Sequence, residues 1–222
     1  MTIPCFSGES HDALPRAWID THMADDIRIA GRKTVRDWKQ FRTALAPGVG
    51  PDLWEDAFRV YFEARLSSRY LRPIETLQAS RTLDGEGFSI LAIHCTLIEF
   101  LESTLQGLSY RYVRRKDPPL RQYEYSESGK LFAAFLSTRQ PFCKVFDPAI
   151  AADFYVGVRC ALLHEARTKN GWIIKAKGPA IADVSAKNKI VYRNNFHAAL
   201  LEFIQSYRMA LPADGVAGSF RS

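Results

Sequence analysis

The fold of this chain is decided by residues 147–167, which read DPAIAADFYVGVRCALLHEAR. An aspartate followed by a proline is typical of a helix start, because aspartate caps free backbone N–H groups and proline suits the first helical position. On a wheel of roughly 100° per residue, the segment is apolar on two opposite faces. A helix of this kind is buried on both sides, so the pattern predicts a helical bundle and a second partner. The first face carries Ile150, Ala151, Phe154, Tyr155, Val158, Ala161 and Leu162, and the second carries Ala149, Val156, Cys160 and Leu163, with Gly157 close by.

Two polar residues, Arg159 and His164, border the second apolar face, one on each edge. They lie roughly 140° apart on the wheel, so they do not converge within one chain. If a two-fold copy packed antiparallel against this face, Arg159 of one chain would approach His164 of the other, giving two composite clusters at one interface. The dimer interface predicted in this way contains Val156, Gly157, Cys160 and Leu163.

A structural interpretation of the same two residues is equally open. Arg159 can form a buried ion pair with one of three glutamates, namely Glu99, Glu102 or Glu165. His164 can cap carbonyl groups at the helix C-terminus, where the helix dipole favours the charged imidazole. The residues of this segment do not decide between an active site and a structural network.

The remainder of the chain is mostly helical in pattern, and we predict a single domain over residues 1–222. A helical extension is expected over about 10–80, with a kink or a restart at Pro73. Two short β-branched runs, 172–176 and 189–193, predict a small β-hairpin near the C-terminal end. A last helix follows, and the tail 213–222 is expected to be disordered.

Composition excludes few functions. The formal charge of +6 permits a polyanionic partner such as RNA without requiring one. We find no apolar run long enough to span a bilayer and no signal peptide, so we expect a cytoplasmic protein with no membrane partner. The spacing of cysteine and histidine residues does not match a metal site, so we expect no metal. The sequence also has no Gly-rich phosphate loop, so we expect no nucleotide cofactor.

At residues 154–166 the chain resembles the HEPN superfamily (higher eukaryotes and prokaryotes nucleotide-binding domains). The signature of that family is an arginine, four to six residues and a histidine, near the end of a buried helix in a helical bundle. Here the motif is Arg159, four residues and His164, preceded by Phe-Tyr and followed by Glu-Ala. The resemblance extends over about 88–210, including the earlier helix that carries Ile98-Glu99-Phe100-Leu101-Glu102.

This resemblance implies a HEPN-type helical bundle and a metal-independent endoribonuclease that works as a homodimer, as a toxin or a phage-defence effector. It implies His164 as general acid/base and Arg159 as the group that stabilises the transition-state phosphate. Glu99 is expected to orient Arg159, and Cys160 is expected beside the catalytic pair. A basic rim for RNA, placed here by charge alone, contains Arg114, Arg115, Lys169, Lys175 and Arg193.

One departure from the family pattern supports an alternative. Active members often carry a polar residue directly after the arginine, where this chain has Cys160. The alternative function is a non-catalytic HEPN-like module that dimerises, binds nucleic acid or a nucleotide, and scaffolds a partner protein. An antitoxin or a nucleotidyltransferase is the kind of partner that the resemblance implies.

Overall fold

The structure, a computed structural model, describes residues 25–45, 49–80, 84–185 and 187–214. Most of the described residues are helical, which confirms the predicted mostly helical class. The predicted tail and the start of the predicted N-terminal extension lie largely outside the described residues. The last helix continues to Asp214, so it includes the first two residues of the predicted tail.

Six helices form the described body of the protein. Helix α1 begins directly after Thr34, whose side chain accepts a hydrogen bond from the backbone N–H of Asp37 at 3.3 Å. Asp37 in turn accepts from the backbone N–H of Thr34 at 2.7 Å, which completes a capping box. The helices are α1 (Val35–Arg42), α2 (51–79), α3 (Glu86–Leu105), α4 (Ser128–Thr138), α5 (148–165) and α6 (Arg193–Asp214).

Helices α2 and α5 each contain π-helical turns. In α2 these are Phe58–Glu63 and Ser67–Leu71, and in α5 the turn is Tyr155–Cys160. The predicted break at Pro73 is a restart of α-helix at Arg72, directly after the second π-helical turn. Since proline removes one backbone N–H, a locally wider turn accommodates it without ending the helix.

Helix α3 is central to the core, which extends along the chain from Phe58 to Leu211. By length and composition alone α3 would suffice to cross a membrane, with a mean hydropathy of 1.4 in its most apolar window. The expectation that no apolar run reaches that length is therefore wrong for α3. Its Ile90, Leu97 and Ile98 side chains are fully buried within the protein, as in the core helix of a bundle.

The N-terminal region is not entirely helical, which corrects the predicted helical extension. Strands β1 (Arg28–Ala30) and β2 (Lys33–Thr34) form a short antiparallel hairpin before α1. Gly31 has a φ of +56° in the turn between them, a conformation that glycine adopts without strain. This hairpin packs beside α2 and forms one side of a groove described below.

The predicted C-terminal hairpin is corrected in its pairing. Strands β5 (Trp172–Lys175) and β7 (Lys189–Tyr192) both form, but they pair in parallel. The connection contains a further strand, β6 (Ala182–Val184), which pairs antiparallel with the other side of β7. The strand order in this sheet is β5-β7-β6, so β7 lies between the other two strands. The tight hairpin therefore joins β6 to β7. Two other short strands, β3 (Ser109–Tyr110) and β4 (Glu124–Tyr125), pair in parallel and carry the basic segment between them.

Candidate functional site

Helix α5 is anchored through one apolar face. Asp147 caps its start, because the aspartate side chain accepts a hydrogen bond from the backbone N–H of Ile150 at 2.8 Å. Phe154 and Val158 are fully buried on the inner side of the helix, and Leu162 is nearly so. The predicted core-facing side of this helix is therefore present in the structure.

The opposite side of α5 is open in the single chain. Val156 is 53% exposed and Leu163 is 55% exposed. Cys160 lies half-buried between them along the helix. Two large apolar side chains, seven positions apart and both exposed, form an apolar strip that no other described part of this chain covers.

Gly157 does not belong to this exposed strip, which corrects its predicted place in the dimer interface. The residue is buried, and a Cβ atom there would lie only 2.8 Å from Cδ1 of Trp172. The backbone N–H of Lys169 also donates to the Gly157 carbonyl at 2.7 Å. Glycine is needed at 157 because the chain folds back against α5 at this point, with Trp172 held by Asp153 at 2.8 Å.

Arg159 is held at the edge of this strip by its own chain. Its Nη2 atom donates to Oε2 of Glu99 on α3 at 3.3 Å, and its guanidinium carbon lies 5.4 Å from the centroid of the Tyr155 ring. The Arg159 side chain remains 22% exposed. Burial lowers the pKa of Arg159, but the neighbouring Tyr155, Glu99 and Cys160 outweigh it and raise this pKa, so the group stays cationic.

Glu99 has two further partners that the sequence did not indicate. Its Oε1 atom accepts from the Tyr125 hydroxyl at 3.2 Å and from Oγ of Ser128 at 2.5 Å. Burial and the Glu99 carboxylate raise the pKa of Tyr125 to about 12, so its hydroxyl remains a donor. These contacts fix the carboxylate that Arg159 meets. The Tyr155–Arg159 contact had a sequence signal, because the two residues lie four apart on one helix.

The other two glutamates that were candidates for pairing with Arg159 are engaged elsewhere. Glu102 accepts from Nε and Nη2 of Arg139, both at 2.9 Å. Glu165 forms ion pairs with Arg167 and Lys169. Glu99 is therefore the carboxylate that the structure brings to Arg159.

His164 lies in the last turn of α5 with its side chain exposed. The helix ends directly afterwards, since Ala166 has a φ of +52°. Within the described residues, the ring of His164 accepts no hydrogen bond and donates none. An exposed imidazole near a helix C-terminus is accessible to a substrate.

The predicted RNA-binding residues have different environments. Arg114 and Arg115 are exposed in the loop between β3 and β4, and Lys175 is exposed at the end of β5. Lys169 forms an ion pair with Glu165. Arg193 is corrected, because its side chain is only 13% exposed and forms a 2.5 Å ion pair with Glu86, so it does not belong to an open rim.

No protein-family model matches the chain, and the comparisons with curated proteins and with solved structures give no significant match either.

A second polar site, buried in the core, was not foreseen. Nε2 of His94 on α3 lies 3.1 Å from Nδ1 of His197 on α6, and the two rings stack. Burial and the neighbouring His197 lower the pKa of His94 to about 3, and burial also lowers that of His197. Among the described residues no three histidine, cysteine, aspartate or glutamate side chains gather as metal ligands. This pair is a neutral packing element at ordinary pH.

Proposed function

We propose that this chain is a metal-independent endoribonuclease of HEPN type that acts in the cytoplasm as a homodimer, as a toxin or phage-defence effector. One observation carries the proposal. Arg159 and His164, with part of each side chain exposed, lie on the helix that also bears the uncovered apolar strip of Val156 and Leu163. A second copy packed on that strip would cover it and bring the two residue types together.

The proposed chemistry is cleavage by the neighbouring 2′-hydroxyl of the RNA. That hydroxyl loses its proton to a base and attacks the phosphorus, and the bond to the leaving 5′-oxygen breaks as this oxygen gains a proton. The imidazole of His164 can perform both proton transfers, as a base in one step and as an acid in the other. The Arg159 guanidinium binds the phosphate oxygens, on which negative charge grows in the transition state.

The anchoring of Arg159 suits this role. The Arg159 guanidinium donates only one hydrogen bond to Glu99, so other N–H groups remain to bind a phosphate. The stacked Tyr155 ring restricts the side chain without using those donors. Exposed Arg114, Arg115 and Lys175 can supply a basic approach for RNA.

The direct test is RNA cleavage by the purified protein in the presence of EDTA. We expect the wild type to cleave, and we expect His164→Ala to be slower by about a hundredfold or more. Arg59→Ala is the matched surface control, because Arg59 is exposed on a different helix, α2, in an ion pair with Asp56. Cleavage that EDTA abolishes, or that His164→Ala leaves unchanged, would contradict the mechanism.

Mixing two inactive variants tests the composite site. In a dimer of Arg159→Ala with His164→Ala, one of the two sites keeps both residues. Random exchange of subunits should therefore restore roughly a quarter of the wild-type activity. Adding Leu163→Glu to both variants should remove this recovery and give a monomer by light scattering. A monomeric wild type, or a mixture that stays inactive, would overturn the composite site.

The alternative is a non-catalytic dimerising module that binds nucleic acid or a nucleotide and scaffolds an antitoxin or a nucleotidyltransferase. It is favoured by the ion pair of Arg159 within its own chain and by the half-buried Cys160 beside it. Such a module would dimerise and bind RNA without cleaving it, so the same experiments distinguish the two functions.

A further inference from the structure

A long groove of about 680 Å³ lies between the β1–β2 hairpin, helix α1 and helix α3. Its wall on α3 is a single helical stripe with spacings of three and four, so the residues share one face. Those residues are Thr96, Glu99, Phe100, Ser103 and Thr104. The volume falls within the usual range for small-molecule sites. The polar residues of this stripe lie on a helix whose opposite face is packed in the core.

Among the described residues, two cations that line this groove form no ion pair, exposed Arg42 and half-buried Arg65. Arg65 on α2 lines the groove half-buried, with its guanidinium carbon 5.0 Å from the centroid of the Phe100 ring. In the described part of the chain, Arg65 forms no hydrogen bond and no ion pair. Burial and the like charge of Arg69 lower the pKa of Arg65, against a smaller opposing effect of Tyr70. Arg65, partly desolvated and beside an aromatic ring, gains more from a bound anion than exposed Arg42 does.

Apart from Arg42, which is exposed, the other charged groups around the groove are compensated. Lys39 pairs with Asp25 at 2.6 Å. Glu99, which lines the groove near Tyr125, is neutralised by Arg159. The groove therefore carries uncompensated positive charge at half-buried Arg65 and at exposed Arg42, and this charge favours an anionic ligand.

Several aromatic rings lie around Arg65. The Phe100 ring stacks on Tyr70 with a centroid distance of 6.1 Å and on Phe62 with the same distance. Trp38 lines the groove beside Arg65. These rings offer flat apolar surface next to a cation, which suits a ligand that has both an apolar body and an anionic group.

We propose that this groove binds an organic anion with an apolar, ring-sized body, its carboxylate or phosphate on Arg65 and its body against Phe100. The site lies outside the proposed catalytic pair and does not depend on ribonuclease activity. Glu99 and Tyr125 line the groove and also hold Arg159, so the bound anion would lie beside the network that fixes this arginine.

The test uses the fluorescent probe 8-anilino-1-naphthalenesulfonate, an aromatic body with one anionic group. We expect saturable binding to the wild type, and binding weaker by about tenfold or more in Arg65→Gln, because a charge-assisted contact is lost. Arg72→Gln is the matched control, since it removes the same charge from an exposed position on the same helix. Ser103→Phe should also abolish binding, by filling the groove without changing its charge. Thermal unfolding verifies that each variant is folded.

Competition then identifies the anionic group. Indole-3-acetate and AMP represent a carboxylate and a phosphate, and indole-3-ethanol and adenosine are their uncharged counterparts. Displacement of the probe by either anion, with its uncharged counterpart much weaker, supports the proposal and names the group. Equal displacement by charged and uncharged compounds overturns it, as does equal probe binding by Arg65→Gln and Arg72→Gln. Cleavage assays are separate, so the failure of one proposal leaves the other intact.

Discussion

Helix α3 holds two arginines through two glutamates only three positions apart, and the two pairs differ in kind. Glu102 is 1% exposed and accepts two parallel hydrogen bonds from Arg139, both at 2.9 Å. Glu99 is 18% exposed and accepts a single, longer contact of 3.3 Å from Arg159. The Glu102 pair uses the forked geometry of arginine fully, whereas the Glu99 pair leaves most of the guanidinium donors free.

This difference separates structure from candidate function. The two hydrogen bonds from Arg139 compensate the Glu102 carboxylate, which is buried away from water. This pair therefore serves the fold and needs no external ligand. The His94–His197 pair is also buried within the fold, but among the described residues Nδ1 of His94 has no hydrogen-bond partner. The Glu99–Arg159 pair is partly open to solvent and retains donors, as a site for an external phosphate requires.

The largest expected effect comes from breaking the buried pair. Arg139→Ala leaves the buried Glu102 carboxylate without a cation and with only the Gln106 amide as a side-chain donor, and we expect it to lower the free energy of unfolding by about 3 kcal/mol. Arg159→Ala should cost about 1 kcal/mol or less, because its partner is partly solvated and the contact is single. Urea unfolding at pH 7 measures both. Equal losses would mean that the two pairs do not differ as described.

The next effect is acid destabilisation through the buried histidines. In the unfolded chain a histidine gains a proton as the pH falls through 6.5, whereas folded His94, with its pKa lowered to about 3 by burial and by His197, stays neutral. Stability is therefore unaffected above pH 6.5 and is lost as the pH falls below it. Between pH 7 and pH 5 the loss attributable to His94 should be about 2 kcal/mol.

Urea unfolding across this pH range, with two histidine variants, checks the assignment. His94→Leu removes one buried histidine and should reduce the pH dependence, leaving the part that comes from His197. His164→Ala removes an exposed histidine and should leave the dependence as in the wild type. If His164→Ala reduced the pH dependence and His94→Leu did not, the exposed and buried histidines would have been assigned the wrong way round.

Helix periodicity predicted much of this arrangement. The spacing of apolar residues in 148–167 predicted the buried face of α5, and the aspartate-proline start placed its first turn correctly. The choice of Glu99 over Glu102 and Glu165 was not predictable, because it depends on how α3 and α5 pack. The Gly157 error has a similar origin. The wheel placed this glycine near the outer strip, but the strand that follows α5 returns over it and covers it with Trp172.

Contacts between distant segments were harder still to foresee. The sequence predicted β5 and β7 but took a long connection for a loop, and β6 within it changes the pairing from antiparallel to parallel. Ser128 and Tyr125 meet Glu99 only because the β3–β4 pair delivers them to α3. The groove at Arg65 likewise needs the N-terminal hairpin, for which the helical pattern gave no signal.

The smallest expected effect tests the open pair and rests on the proposed ribonuclease activity. Glu99→Gln keeps an oxygen acceptor for Tyr125 and Ser128 but removes the charge that holds Arg159. We expect kcat for RNA cleavage to fall by about tenfold with KM nearly unchanged, because Arg159 loses its orientation in the transition state more than the protein loses RNA contacts. Stability should fall by less than about 1 kcal/mol.

Asp56→Asn is the control for this variant, since it neutralises an exposed carboxylate on α2 that pairs with Arg59. It should change neither kcat nor unfolding. A purely structural role for Glu99 predicts the opposite pattern, in which unfolding shifts and kcat per folded molecule does not. A positioning carboxylate has to act on the rate while leaving the fold nearly intact, because it is the orientation of Arg159, and not the burial of Glu99, that the reaction would use.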